Sequence, residues 1–339
     1  MKKMSIAIVS ILMAGLLAAC GGGGGGGDDA APPPASGVSI TTENAEVVSA
    51  EVTNSIDAVE GASSGSAIIT GVSITANSDG FSYRDFVLSQ LDQFAVVRQQ
   101  QLSSGVVGVV IPAETVPCSD GGSITISGEV ADPNLDTFSA GDTLSAIFDN
   151  CSEEGILISG SFELTINVAF DGTPPFNLDV SIRMTGFSVT DPDINFSSDG
   201  DMRLVLTEDG IGNFGATFSG NSLTINEGGE TVTLSTYNYV LTGNDSSGGY
   251  TVDIAGTIDS TILGGSVTFT TVQPFTGNDF NGTGDSTQGV LLMTSNFDGS
   301  QARLTAQPDG VNVMIEVDAD GDGVFEETVM TTWDDLDSL

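Results

Sequence analysis

The chain has 339 residues, with 46 Asp and Glu against 7 Lys and Arg, no His, and a formal charge of −39. So acidic a chain repels nucleic acid and anionic lipid headgroups, and we expect no nucleic-acid partner. Without histidine it lacks the commonest general base. Its 17 Phe and its alternating apolar runs predict a packed core rather than disorder.

The N-terminus has the organisation of an export signal. Lys2 and Lys3 precede an apolar run at 5–19, which is too short to span a bilayer and suits a signal-peptide core. The run closes on Leu-Ala-Ala-Cys at 17–20, which resembles the lipobox of bacterial lipoproteins. That resemblance implies cleavage before Cys20 and lipidation of Cys20. The alternative is an ordinary secretory signal that happens to end in cysteine.

Residues 20–37 read as a lipidated cysteine followed by a tether. Seven glycines follow Cys20, and three prolines at 32–34 stiffen the segment into extended polyproline. Surface-exposed lipoproteins of Gram-negative bacteria have a similar poly-Gly stretch. In that family, Asp after the cysteine retains the protein in the inner membrane. Gly21 therefore implies an outer-membrane location, on either the periplasmic or the cell-surface face.

Cys118 and Cys151 remain once Cys20 carries lipid. Residues 121–130 and 142–150 read as two strands of an antiparallel hairpin, so the positions just outside them meet. In an oxidising compartment this spacing predicts a Cys118–Cys151 disulfide. Two buried free thiols are the alternative.

Residues 38–104 show helical periodicity in two places. A helix is predicted over 41–61, begun by Thr41 or Thr42 and ended by Gly61, with one apolar stripe: Val48, Val52, Ile56 and Val59. A second helix is predicted from Ser82, where Asp85 completes a capping box and Gly105 follows the last turn. Its stripe consists of Tyr83, Val87, Leu91 and Phe94.

From residue 105 to 339 the period changes to two, which predicts ten to fourteen antiparallel strands. Three runs are predicted to bury alternate residues: Phe162, Leu164, Ile166, Val168 and Phe170; Phe176, Leu178, Val180, Ile182 and Met184; and Val311, Val313, Ile315 and Val317. The predicted fold class is mainly β: a curved antiparallel meander or barrel-like sheet, with two N-terminal helices packed on or in it.

A glycine pattern recurs along the β region. An apolar residue, then Ser, Thr or Ala, then Gly occurs at eight positions: Gly71, Gly128, Gly160, Gly186, Gly220, Gly243, Gly256 and Gly277. Glycine weakens a strand interior, so its repeated use predicts bends and bulges that curve the sheet.

Two catalytic motifs are matched by chance. GASSG at 61–65 fits a nucleophile elbow, but that serine needs a histidine base, which the chain lacks. GIGNFG at 210–215 fits a dinucleotide fingerprint, but a strand-like segment follows it where a helix is required.

The segment 318–327 resembles calcium loops of the EF-hand and dockerin kind. Oxygen ligands at alternating positions can surround one Ca²⁺. The candidate ligands are Asp318, Asp320, Asp322, the Val324 carbonyl and Glu326. Phe325 occupies the apolar anchor position, whereas Val329 stands where the bidentate Glu is expected, and the flanks are strands. The alternative is an acidic hairpin tip. A looser pattern occurs at 132–142.

Three classes of function follow. The composition favours a non-catalytic binding, adhesion or structural module, with a protein, glycan or lipid partner left open. The second is a carrier of an apolar ligand, by resemblance in architecture to the curved half-barrel lipoprotein-sorting proteins. The third is a carboxylate-based glycan-active enzyme. The chain also resembles acidic, β-rich outer-membrane lipoproteins of Gram-negative bacteria, through Cys118…Gly141-Asp142…Cys151 and residues 320–333. That resemblance implies no activity.

Overall fold

The structure is a computed structural model that describes residues 37–60, 109–130, 138–153, 155–169, 174–190, 195–227, 229–244, 246–278 and 286–339. Cys20, the tether up to residue 36, the helix predicted from Ser82, the GASSG motif, Gly71 and Phe170 lie outside the described residues. Within them, neither helix has the length and apolar composition needed to cross a bilayer.

One antiparallel sheet forms most of the described chain. Its strands are β1 (Val109–Pro117), β2 (Gly121–Val130), β3 (Thr143–Glu153), β4 (Ile156–Val168), β5 (Phe176–Thr190), β6 (Asn195–Glu208), β7 (Asn213–Glu227), β8 (Glu230–Asn244), β9 (Tyr250–Ser260), β10 (Gly265–Gly277), β11 (Gln288–Ser295), β12 (Gln301–Ala306), β13 (Asn312–Asp318) and β14 (Glu327–Thr332). Each strand pairs with the next in the chain, so the order runs from β1 to β14 without a crossover. The mainly β, meandering class is confirmed. The sheet is an open meander rather than a closed barrel, with β1 and β14 at its edges.

The predicted alternation of buried residues holds within the strands. In β5, Leu178, Val180, Ile182 and Met184 are buried, and in β13 Val313, Ile315 and Val317 are buried. Two predicted core residues are wrong. Val168 is 37% exposed because the β4–β5 register shifts between Ile166 and Val168. Val311 is 53% exposed because β13 begins only at Asn312.

Register shifts lie on one line across the middle of the sheet, and four of the eight pattern glycines lie at them: Gly160, Gly186, Gly220 and Gly256. The register shifts next to Gly160, Gly186 and Gly200 on β4, β5 and β6, and again beside Thr236 on β8. Gly160 has a φ of +91°, and a Cβ there would lie 2.1 Å from the carbonyl oxygen of Gly186. Only glycine fits this position, which confirms the bulge interpretation for this part of the pattern.

The pattern glycines also serve a second purpose that the sequence did not indicate. Five of them stand directly opposite an aromatic residue on the neighbouring strand: Phe148–Gly160, Tyr237–Gly220, Phe214–Gly243, Phe269–Gly256 and Tyr250–Gly277. A Cβ on Gly243 would lie 2.3 Å from Phe214 Cζ. The ring therefore occupies the space that a side chain would take, and it restores the packing that glycine lacks.

The predicted disulfide is present. Cys118 lies just before β2 and Cys151 lies within β3, with a Cα–Cα distance of 5.5 Å. Gly121 pairs with Ser152, so the two cysteines flank the end of the β2–β3 ladder as the hairpin prediction required. The bridge joins the β1–β2 connection to β3, next to the β1 edge.

Two helices pack together against the C-terminal strands. α1 (Ala45–Glu60) confirms the first predicted helix, and Val48 and Val52 are fully buried. Asn44, rather than Thr41 or Thr42, directly precedes it, and the Asn44 carbonyl accepts the Val48 N–H. α1 lies against α2 (Trp333–Asp337) and against β12, β13 and β14. The sequence analysis did not predict α2, a helix of only five residues.

A buried carboxyl group attaches α1 to the sheet. Glu51 is only 9% exposed, and the Ser260 hydroxyl at the end of β9 donates to Glu51 Oε1. The same hydroxyl oxygen accepts the Ile262 N–H at 3.1 Å, so its proton is directed to Glu51. Burial raises the pKa of Glu51; the Ser260 hydrogen bond opposes that rise, and the charge of Glu230 adds to it.

The raised pKa of Glu51 predicts a pH dependence of stability. The folded protein binds the Glu51 proton more tightly than the unfolded chain does. The resulting contribution to the free energy of unfolding is therefore fully present below about pH 4.3 and is lost as pH rises through the raised pKa. Glu51→Gln keeps an acceptor for Ser260 and removes the charge. We expect it to raise the melting temperature at pH 7 and to leave it unchanged at pH 4. Thermal melts from pH 4 to 8 test this, with Glu46→Gln at the half-buried start of α1 as control. Equal pH profiles for wild type and Glu51→Gln would contradict it.

Candidate metal site in the β13–β14 connection

The connection between β13 and β14 carries the candidate site. Asp318 is the last residue of β13 and is fully buried, whereas Asp320 and Asp322 are exposed. Gly321 and Gly323 have φ values of +73° and +90°, which an L side chain rarely adopts. Alternating Asp and Gly therefore fold this segment into a tight turn with its carboxylates on one side.

Backbone N–H groups fix the Asp318 carboxylate. Gly321 N donates to Asp318 Oδ1 at 2.7 Å, and Gly323 N donates to Oδ2 at 2.7 Å. Asp322 N lies 3.2 Å from the same Oδ1. These bonds compensate for burial of the charge and organise the loop around one side chain.

Three carboxylates converge in this loop. One carboxylate oxygen from each of Asp318, Asp320 and Asp322 lies within 4.8 Å of the others, so the group could hold a metal ion. At this separation two charges in a wet site repel by about 1 kcal/mol. A bound cation would replace this repulsion with attraction. The alternating spacing of Asp318, Asp320 and Asp322 thus predicted correctly which three aspartates meet.

The other two predicted ligands do not belong to that carboxylate group. Glu326 is exposed, and its backbone N–H donates to the Val317 carbonyl at 3.1 Å as the chain returns to the sheet. Val324 is 56% exposed, and its N–H donates to Asp322 Oδ1 at 2.8 Å. Glu326 therefore does not join the three carboxylates, whereas the predicted role of the Val324 carbonyl stays a prediction.

An aromatic–cation contact holds the exit of the loop. The Arg303 guanidinium lies 4.2 Å from the centre of the Phe325 ring and forms a 2.7 Å ion pair with Glu316. Sequence analysis assigned Phe325 an anchoring position but missed Arg303, which is 22 residues away. The β12–β13 register, which places Arg303 opposite Glu316, supplies this contact.

The neighbouring β11–β12 connection abuts the loop. A Cβ on Gly321 would lie 2.9 Å from the carbonyl oxygen of Gly299, so a second constraint favours glycine here. Asp298 organises this connection by accepting from Ser300 N and Ser300 Oγ. Burial raises its pKa, but hydrogen bonds chiefly from Ser39 and Ser300 outweigh this and lower the pKa of Asp298 to about 2.

Within the part of the chain that the structure describes, the remaining candidates give no second site. GIGNFG leads into β7, a strand, so the dinucleotide interpretation fails on structure as expected. The looser acidic pattern at 132–142 falls largely outside the described residues, and Asp142 at its end is buried.

Comparison with known proteins identifies no relative: no family model, no curated protein and no solved structure matches this chain.

The loop geometry predicts unequal roles for its aspartates in the absence of metal. Asp318→Asn leaves one acceptor oxygen in place of two, so one backbone N–H of the loop loses its hydrogen-bond partner. We expect the free energy of unfolding to fall by about 1–2 kcal/mol. Asp322→Asn keeps the oxygen that accepts from Val324 N, and we expect a change below about 0.5 kcal/mol. Urea unfolding in EDTA measures both. Equal losses would show that Asp318 does not organise the loop.

Proposed function

We propose that the protein is a lipid-anchored protein of the bacterial outer membrane that acts as a non-catalytic binding, adhesion or structural module. The lipobox-like residues 17–20 and the glycine tether support the anchor. The oxidised Cys118–Cys151 pair supports an exported location.

The packing of the sheet favours a non-catalytic module over a carrier of an apolar ligand. The buried apolar side chains of β1 through β13 and of both helices form one hydrophobic cluster, and the partly buried Val329 of β14 packs against it. Its largest members, including Phe162, Phe187, Tyr239 and Phe269, are almost fully buried. A carrier needs an apolar cavity for its cargo. In this sheet the side chains contact one another across the inner face, which supports a protein that uses its outer surface.

We further propose that the β13–β14 loop binds Ca²⁺. Its ligands are carboxylate oxygens, which suit a hard cation, and they alternate along the chain as in known calcium loops. Asp318, Asp320 and Asp322 supply one oxygen each, and water or backbone carbonyls such as that of Val324 complete the shell. Val329 in place of a bidentate Glu weakens the site. We expect a dissociation constant of about 10⁻⁴–10⁻³ M.

Loss of the lipidation site tests the anchor. In the native host, Cys20→Ala should move the protein from the membrane fraction to the soluble fraction, because no acyl chain can be attached. Intact mass of the wild-type mature protein should show the acyl groups. If the variant still fractionates with outer membrane, the proposed anchor is wrong.

Calcium should stabilise the folded form only. At ten times the dissociation constant it adds about 1.4 kcal/mol, which raises the melting temperature by about 3 °C relative to EDTA. Asp320→Asn should abolish the rise. Asp309→Asn is the matched control: Asp309 is also an exposed turn acid that accepts backbone N–H groups, at a connection without the cluster.

Two results would contradict the calcium proposal. The first is a melting temperature that calcium leaves unchanged in the wild type. The second is an equal response in wild type and Asp320→Asn, which would place the bound calcium elsewhere on this acidic chain. Magnesium at the same concentration controls for general screening of charge.

A further inference from the structure

The N-terminal end of the described chain is attached to one particular end of the sheet. The Ser295 hydroxyl at the end of β11 donates to the Val38 carbonyl, and Ile40 N donates to Ser300 Oγ at 2.7 Å. Gly37 lies against the next residues of the same connection: a Cβ there would sit 2.6 Å from Phe297 Cβ. The segment that leads back to Cys20 therefore starts beside the β11–β12 connection.

Three strand connections at this end expose apolar side chains. Because the strands alternate in direction, the β9–β10, β11–β12 and β13–β14 connections share one end of the sheet. Their exposed apolar residues are Ile262, Phe297 and Val324, with 41%, 47% and 56% of their surface exposed. Hydrogen bonding of Asn296 N to the Ser266 carbonyl and the close approach of Gly299 to Gly321 join the three connections.

Exposure alone does not select this end. The opposite end also exposes apolar residues, Ile211 between β6 and β7 and Val311 between β12 and β13. The starting point of the N-terminal segment favours this end. Cys20 precedes Gly37 by 17 residues. A chain of that length averages roughly 20–30 Å and spans at most about 60 Å, so a membrane that holds an acyl chain on Cys20 is on average closer to this end than to the opposite one.

We propose that the exposed residues Ile262, Phe297 and Val324 form an apolar tip that contacts the lipid surface in which Cys20 is anchored. This inference rests on the proposed anchor. The tip supplies a second, side-chain contact, and it orients the sheet with the β13–β14 loop towards the bilayer. A single aromatic and two aliphatic side chains suit the interface between headgroups and acyl chains.

The charges around the tip specify the lipid. Asp298, Asp320 and Asp322 lie in the same connections, and no described lysine or arginine lies within these turns. An anionic headgroup would be repelled here. The surface that fits is therefore a zwitterionic one, such as phosphatidylethanolamine.

Tryptophan reporters in vesicles test the contact. The lipidated full chain is reconstituted into phosphatidylethanolamine–phosphatidylcholine vesicles whose acyl chains are brominated near the headgroup, since bromine quenches indole emission on contact. Phe297→Trp and, independently, Val324→Trp report on the tip. Ile211→Trp reports on the opposite end and is the matched control. The wild type, whose single tryptophan is Trp333, gives the background.

Insertion to about 5–10 Å brings a tip indole to the bromine level, so we expect roughly a two-fold loss of emission for both tip variants and little for Ile211→Trp. Replacing part of the lipid by phosphatidylglycerol should weaken this quenching. Thermal melts confirm that each variant is folded.

Flotation of the wild type separates this inference from the proposed function. If the protein carries no acyl chain and does not float with the vesicles, the proposed anchor is wrong, and the proposed lipid contact of the apolar tip is wrong as well. If the protein floats but neither tip variant is quenched, or Ile211→Trp is quenched equally, the anchor stands and the apolar tip is overturned.

Discussion

A single sheet with one apolar face is the constraint on which the rest of this structure depends. Alternation along each strand places the large side chains on one side, and an open meander offers no second sheet to cover them. The sheet must bend over its own core, and it does so along the line of bulges at Gly160, Gly186 and Gly200. Aromatic residues opposite other glycines then fill the inner face where the backbone carries no side chain. The two helices cover only the part near the β14 edge.

The scarcity of cations explains how this acidic chain accommodates its carboxylates. The described residues contain two ion pairs, Arg203–Asp179 and Arg303–Glu316. In other turns, amide N–H groups donate hydrogen bonds to the carboxylates. Hydrogen bonds from the Asn213 side chain and from backbone N–H groups lower the pKa of Asp209, and those from Asn312 lower the pKa of Asp309. Asp318 is a buried carboxylate that also accepts hydrogen bonds from backbone N–H groups, and it differs because two further aspartates converge on it.

The end of the sheet near Ser295 and Ser300 brings together the features relevant to function. The N-terminal segment is hydrogen-bonded there, the candidate metal loop abuts it through Gly299, and three apolar side chains project from the same connections. A cation at the loop would neutralise charge beside the proposed lipid contact. The start of the N-terminal segment, the loop and the proposed tip therefore lie at one end of the sheet, because the meander places every second connection at the same end.

Local sequence was sufficient for features that depend on neighbouring residues. Period-two burial in β5 and β13, the turn built by alternating Asp and Gly at 318–323, and the Cys118–Cys151 hairpin all follow from spacing within one strand or one hairpin. Strand limits were less certain, and Val168 and Val311 were misplaced because a bulge or a turn shifts the alternation by a residue. The five-residue α2 carries too little periodicity to be recognised from sequence.

Other features were decided only by tertiary structure, since they join residues that are far apart in the chain. The glycine pattern predicted bends, but only the register shows that five of those glycines face aromatic rings. Glu51 meets Ser260, and Ile40 meets Ser300, across more than 200 residues. Glu326 is kept out of the carboxylate group because its backbone pairs with Val317. Spacing along the chain determines which groups occur in one turn, whereas the packing of separate strands determines which of them meet.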